Sequence, residues 1–418
     1  MWAVYTIQDS STLGRARRAA AEGGLRKRVG GTVLLLGTCS LLTDISSEMV
    51  SAILPLYLVA TLGFSPLQYG IVDGLYQGAS ALVRLAAGFL GDRLQRHKFV
   101  ATFGYGLSAI CKLGLALIGG AWAGLSAIIL LDRTGKGIRT APRDAMISLS
   151  APKKDLGLAF GIHRAMDTAG AMAGPLIAFA LLSAAPDAFH TLFLISFFIA
   201  ILGFGVIALL VREPPARERV PAEKPDLKAA AKLLKGREFR ALTIAGSALG
   251  LATVSDGFVY LTLKDQVDFN NALFPLLATG TAVLYMLLAA PLGRIADRIG
   301  RARVLIAGYV VLLAAYCVLM VPSAGALSLI VVLALLGTYY AATDGVLMAM
   351  GSAHVPEALR GSGLALLGTA TSVARLLASV LFGVCWTWLG LQTTIVVFAG
   401  ALVVAMGLAV RGLRVANA

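Results

Sequence analysis

Charged side chains set inside long apolar runs are the residues of this sequence that could do chemistry. Asp44 and Glu48 stand one helical turn apart in the first run, and Asp73 and Arg84 lie in the second. The fourth carries Asp132, Arg133, Lys136, Arg139, Arg143 and Asp144, and the fifth carries His163, Arg164 and Asp167. The second half of the chain is sparser, with Asp256, Asp344 and Arg375. A charge at bilayer depth costs at least ~2.5–3.5 kcal/mol on insertion scales, so each is a functional hypothesis. Two acids one turn apart repel each other, and a proton on one of them relieves the repulsion. Asp44 or Glu48 could therefore bind and release a proton, with Arg133 and Lys136 holding a solute or steadying the acids. The competing role is an internal ion lattice. In that case Asp44 or Glu48 neutralises Arg133 or Arg164, His163 pairs with Asp167 across one turn, and nothing else is touched.

The elements that must position these groups are membrane helices. The chain of 418 residues is 58% apolar and only 14% charged, against roughly 45–50% and 25% in soluble domains, and its mean hydropathy is +0.82. Apolar runs near the ~20 residues of a bilayer crossing fall at 33–60, 67–90, 100–119, 125–149, 158–182 and 192–211. A second set falls at 242–263, 273–295, 304–321, 327–350, 363–382 and 393–410. At ~1.5 Å per residue, Asp44, Arg133, Lys136, Arg164 and Asp167 come near mid-bilayer. Residues 1–30 form a basic N-terminal segment, 31–211 a first bundle of six helices, 212–240 a proline-broken linker, 241–411 a second bundle and 412–418 a tail.

The net charge of +14 would suggest nucleic acid in a soluble protein. Here the basic residues gather in loops on one side: Arg93, Arg96, Lys98, Lys153, Lys154, Arg294, Arg298, Arg301, Arg303 and Arg360. That asymmetry predicts a multi-pass protein of the cell inner (plasma) membrane with both termini cytoplasmic, and no nucleic-acid partner. The four cysteines all sit in apolar runs without a C-x-x-C pair, and the four histidines are scattered, so neither disulfide nor metal site is expected.

One stretch occurs twice. Gly88-Phe89-Leu90-Gly91-Asp92-Arg93, followed by Arg96, His97 and Lys98, returns as Gly293-Arg294-Ile295-Ala296-Asp297-Arg298, followed by Arg301 and Arg303. The copies lie close to half a chain apart, each between two apolar runs, the mark of a carrier built from two parallel halves. They resemble the loop signature of the major facilitator superfamily between its second and third helices. The first copy departs mildly, with Gln95 where the second has Gly300.

The resemblance implies an all-α membrane fold, about twelve helices in two six-helix bundles related by a pseudo-two-fold axis. It implies a central cavity lined by helices one, four, seven and ten. Asp44, Glu48, Arg133, Lys136, Asp256 and Asp344 are then cavity residues, with His163, Arg164 and Asp167 beside the same pathway. By the same resemblance Asp92 pairs with Arg143 at the inner end of helix four as a gate, and Asp297 plays the related role against helix five. Gly88, Arg93, Gly293 and Arg298 complete the two gating loops.

The fifth helix holds Gly170-Ala171-Met172-Ala173-Gly174-Pro175. Its Gly-x-x-x-Gly spacing suits close helix packing, and the proline bends the axis. Gly174-Pro175 is similar to the motif that antiporters of the superfamily carry, which favours export. The Arg-x-x-Gln-Gly motif of its drug antiporters is not kept after Arg133, where Thr134-Gly135-Lys136-Gly137 follow. The run from Leu131 to Ala145, with Gly161 to Asp167, resembles a bacterial and archaeal subgroup of mostly unassigned substrates. The extra cations of this half would suit an anionic or zwitterionic solute.

Gly135-Lys136 is not a P-loop: Leu130 stands where the first glycine belongs and Gly137 where Ser or Thr belongs. No H-E-x-x-H and no nucleophile elbow occurs. The expectation is a monomeric secondary transporter, without cofactor, that exports a small organic molecule in exchange for protons. The alternatives are an importer or uniporter of a small organic anion and, more remotely, a membrane-embedded enzyme.

Overall fold

The structure, a computed structural model, describes residues 30–94, 96–152, 155–213, 232–321, 325–356 and 359–416. Within these, the side chains of 84–94, 360 and 414–416 lie outside the description. The expected roles of Asp92 and Arg93, most of the N-terminal segment and the middle of the linker therefore lie outside the described residues.

A bilayer offers no water to backbone N–H and C=O groups, so each apolar run must satisfy them internally as a helix. Twelve helices result among the described residues. The first six are α1 (Gly31–Leu56), α2 (Pro66–Leu94), α3 (His97–Leu117), α4 (Trp122–Ser150), α5 (Leu156–Ala184) and α6 (Phe189–Gly205). α1 and α6 each end in one wider π-type turn, Tyr57–Thr61 and Val206–Leu210. The second six are α7 (Arg237–Gln266), α8 (Phe274–Ile299), α9 (Arg301–Leu319), α10 (Gly325–Ala353), α11 (Arg360–Leu389) and α12 (Leu391–Ala416). Ten of these are long and apolar enough to cross a membrane; α2 and α4 are not among them. α4 carries six charged residues, and they are what binds it to its neighbours.

The expected continuous seventh helix is broken. It runs Arg237–Leu251, opens at Ala252–Ser255 and resumes as Asp256–Gln266. Tyr316 of α9 serves the break, accepting from the Val254 N–H at 2.7 Å and donating to the Ala252 carbonyl at 3.3 Å. No Gly or Pro lies within the opening, though Gly250 and Gly257 flank it. Ser255-Asp256, a polar pair of the kind that starts helices, stands where the second piece begins.

The packing repeats with a shift of six helices. α1 packs on α5 and α6, as α7 packs on α11 and α12. α4 packs on α2 and α3, as α10 packs on α8 and α9, and the α3–α6 contact returns as α9–α12. That one-for-one correspondence is the pseudo-two-fold relation of two six-helix bundles. The corner of the second twin loop is a single residue. Gly300, at φ +107°, separates α8 from α9 in a conformation that L side chains avoid.

Between the bundles the closest approach is α2 on α11. A Cβ added to Gly74 would lie 2.8 Å from the Leu376 carbonyl oxygen, and one added to Gly383 would lie 3.1 Å from Leu67 Cα. Glycines on both sides thus let the backbones touch. The Leu67 N–H donates to Thr387 Oγ1 at 3.1 Å, and Ser379 donates to Asp73 at 2.6 Å. α5 also meets α8, and α1 meets α7 and α8. The α2–α11 contacts lie where α2 begins and α11 ends, so the molecule is shut at that end.

Candidate functional site

α4 is the spine of the first bundle's charge: α1 and α5 bring acids to it, α3 brings a further cation, and α4 carries two acids of its own. Nearest the shut end, Asp132 is clasped by Lys112 of α3 at 2.8 Å and by the guanidinium of Arg133. All three side chains are at most 5% exposed. Arg133 also lies over the Tyr76 ring, 3.9 Å from its centroid. One turn on, Lys136 faces Glu48 at 4.0 Å. Then Arg139 reaches Asp44 at 3.6 Å while lying over the Tyr105 ring at 4.5 Å. Next, Arg143 meets Asp144 at 3.0 Å and Asp167 of α5 at 3.7 Å, and donates to Ser40 of α1 at 3.2 Å. Every third or fourth residue of α4 therefore presents a cation to the same side, and α1, α3 and α5 meet it there.

The partners differ from those the sequence suggested. Arg133 is held by its neighbour Asp132, not by Asp44 or Glu48, because its guanidinium turns along α4 toward Tyr76. His163 does not pair with Asp167; its Nε2 lies 3.0 Å from Ser40 Oγ, with Tyr105 Oη 3.2 Å from the same hydroxyl. Asp297 does not reach α5. Its carboxylate is taken by Arg301 at 2.9 Å, one turn away across the Gly300 corner, and Arg301 also donates to the Ala349 carbonyl of α10. Gly293 and Arg298 sit on the last turns of α8, with Arg298 exposed. Arg164 is half-buried on α5. In the second bundle Asp344 meets Arg375 of α11 at 3.5 Å, and Asp256 accepts from Tyr340 Oη at 2.7 Å.

Gly170 and Gly174 press α5 onto α1. A Cβ on Gly174 would lie 2.7 Å from both the Ile45 carbonyl oxygen and the Met49 N–H nitrogen. The adjacent Pro175 reaches a cavity between the bundles.

That cavity is walled by α1, α2 and α5 from one half and by α7 and α8 from the other. Its acids are Glu48, Asp73 and Asp256. Tyr69, Tyr76 and Tyr260 add aromatic faces, and Ala171, Met172 and Ala278 make the rest apolar. It lies directly beneath the α2–α11 seam, since Asp73 belongs to both. Of the expected pathway residues, Glu48 and Asp256 reach this wall. Asp44, Arg133, Lys136, Asp167 and Asp344 stand behind it in ion pairs. Lys112 was missed in the sequence as a lone lysine in an apolar run. Asp73 stands out in the sequence as a charge in an apolar run; Tyr69 and Tyr76 join it on one face of α2, at spacings of four and three, and carry no charge to single them out.

The family model described as Major Facilitator Superfamily matches residues 36–274 and 241–417. The chain belongs to the Major Facilitator Superfamily. The MFS-type transporter MJ1317 of Methanocaldococcus jannaschii is 33% identical over 385 residues, 88% of this chain and 93% of that one. The multidrug resistance protein MdtG of Serratia proteamaculans is 28% identical over 278 residues, 63% of this chain and 65% of that one. Among solved structures, the nucleoside transporter NupG superposes with a TM-score of 0.75, at 16% identity over 91% of this chain and 99% of that one. The superfamily chain is thus a multi-pass membrane transporter and not an enzyme.

Proposed function

We propose that this protein exports a small organic molecule in exchange for protons, by alternating access, across the cell inner membrane. Both termini then face the cytoplasm, and the shut α2–α11 end faces outward. Residues 31–211 and 241–411 are the two moving bodies, and 212–240 is the tether between them. Glu48 or Asp44 carries the proton; Arg133 and Lys136 hold the charge balance around them. Asp92, Arg143 and Asp297 gate the inner side with Gly88, Arg93, Gly293 and Arg298.

The observation that carries this reading is the double position of Glu48. It stands on the wall of the inter-bundle cavity, and its carboxylate is also held by Lys136, the next link in the α4 ion ladder. A proton or solute that claims Glu48 frees Lys136, so an event in the cavity alters packing within the bundle. Export is supported by Gly174-Pro175 on α5 and by the similarity to MdtG.

The test uses proteoliposomes loaded with a pH-sensitive dye and presented, across a pH gradient, with a set of organic cations, zwitterions and anions. At least one class should drive proton movement in the wild type. Glu48→Gln or Asp44→Asn should cut that exchange by about tenfold or more, the size expected for a positioned proton carrier. Solute flux with unchanged rate and pH dependence in both variants would end the proton role.

A further inference from the structure

The cavity's charges are lopsided in a way that names its solute. Glu48 has Lys136 beside it and the Ser51 hydroxyl donating at 2.8 Å. Asp73 accepts from Ser379 at 2.6 Å and Tyr69 at 3.4 Å, Asp256 accepts from Tyr340 at 2.7 Å, and neither is in an ion pair found among the described residues. The two carboxylates belong to opposite bundles and line one cavity. Meanwhile the cations of α4 are turned into their own ladder, where Asp132, Asp44 and Asp167 engage them. Among the described residues no Lys or Arg lines the cavity.

A second feature points to an occupant. The Tyr76 hydroxyl lies on this wall without a hydrogen-bond partner among the described residues, on a side chain nine-tenths buried. The neighbouring Ser51 hydroxyl gives its proton to Glu48. Thr279 Oγ1, across the cavity on α8, is likewise buried and unpartnered among them. Burying such groups without a partner costs free energy, so the cavity is built to be completed by a polar molecule.

We infer that the cavity takes an organic cation, an amine or quaternary ammonium with a small apolar body, held between Asp73 of one bundle and Asp256 of the other. The inference rests on the cavity being the transport site. Carboxylates in a poorly hydrated cleft attract a cation strongly, and the Tyr69 and Tyr260 rings suit an ammonium group. Ala171, Met172 and Ala278 leave apolar room for the body. A cation held between acids of opposite bundles also favours the bundles staying together at that end.

The experiment measures binding to the purified full chain in detergent, by calorimetry. The probes are tetramethylammonium, benzyltrimethylammonium and tetraphenylphosphonium, with benzyl alcohol and phenylacetate as the uncharged and anionic counterparts. At least one cation should bind, and phenylacetate should bind at least tenfold more weakly. Asp73→Asn and Asp256→Asn should each weaken the cation about tenfold or more, while Asp268→Asn, an exposed acid, should leave it unchanged. If Asp73→Asn does not fold, Asp256→Asn decides alone, since among the described residues that carboxylate accepts only from Tyr340. Binding of no cation, equal binding of phenylacetate, or wild-type affinity in the Asp256 variant overturns the inference. No pH gradient enters this measurement. Cation binding without proton exchange therefore removes the coupling and keeps the site, and proton exchange driven only by anions does the reverse.

Discussion

Asp132→Ala should destroy the folded first bundle. The carboxylate is the counter-ion of two cations, Lys112 and Arg133, whose side chains are 2% and 4% exposed. Removing one partner of a buried ion pair costs about 3–5 kcal/mol, because the other charge remains without compensation. Here two charges are stranded, within a total stability of ~5–15 kcal/mol for a typical domain. Thermal melting of the detergent-purified protein should fall steeply, or the protein should fail to accumulate. Lys112→Met is the informative contrast. It leaves Asp132 paired with Arg133 and puts an apolar chain of similar length in an apolar place, so the loss should be much smaller. Equal damage from both changes would mean that the ladder is not held through Asp132.

Gly383→Val should trap the carrier with its shut end open. The glycine lets α11 touch α2 at Pro66 and Leu67, and that contact forms in the closed arrangement. Overpacking of this kind costs ~1–3 kcal/mol. When the clash is confined to one of two conformations, the cost falls on the equilibrium between them, a shift of roughly 5- to 150-fold. The reporter is Gln77→Cys, on the cavity wall, in a chain whose four native cysteines have been replaced. A membrane-impermeant maleimide added from outside should label it much faster in the Gly383→Val background, and transport should fall. Labelling that stays slow would show that the α2–α11 seam is not the outer gate.

The sequence made some of this plain and hid the rest. The twin loops, half a chain apart, announced two matched bundles, and the apolar runs marked out the helices, the seventh as one continuous span. The break in α7 escaped because no proline or glycine lies within it and single glycines such as Gly250 and Gly257 are common in membrane helices; Tyr316, far off in sequence, satisfies the backbone it opens. The buried charges were legible as charges and not as pairs. Spacing along α4 says which cations share a face, but their acids come from α1, α5 and α4 itself, and small helix rotations decide whether Glu48 meets Arg133 or Lys136. Asp297 was expected against α5 by resemblance, yet the nearest cation, Arg301, stands one turn away and takes it. Asp73 was legible as a charge inside an apolar run and Tyr76 was not singled out; only the approach of the second bundle makes a cavity of them.

The central claim is that two bundles rock about a shared cavity, so its ends open in turn. Two spin-label pairs test it in lipid nanodiscs: Thr61 with Leu389 at the shut end, and Gly157 with Ile299 at the other, all exposed positions. Electron–electron distances are measured at mildly acidic and at mildly alkaline pH, with and without benzyltrimethylammonium. The account predicts two populations in which one pair lengthens as the other shortens, with the balance moved by pH. A single distance for each pair that ignores both pH and cation, in protein that still transports, would contradict it.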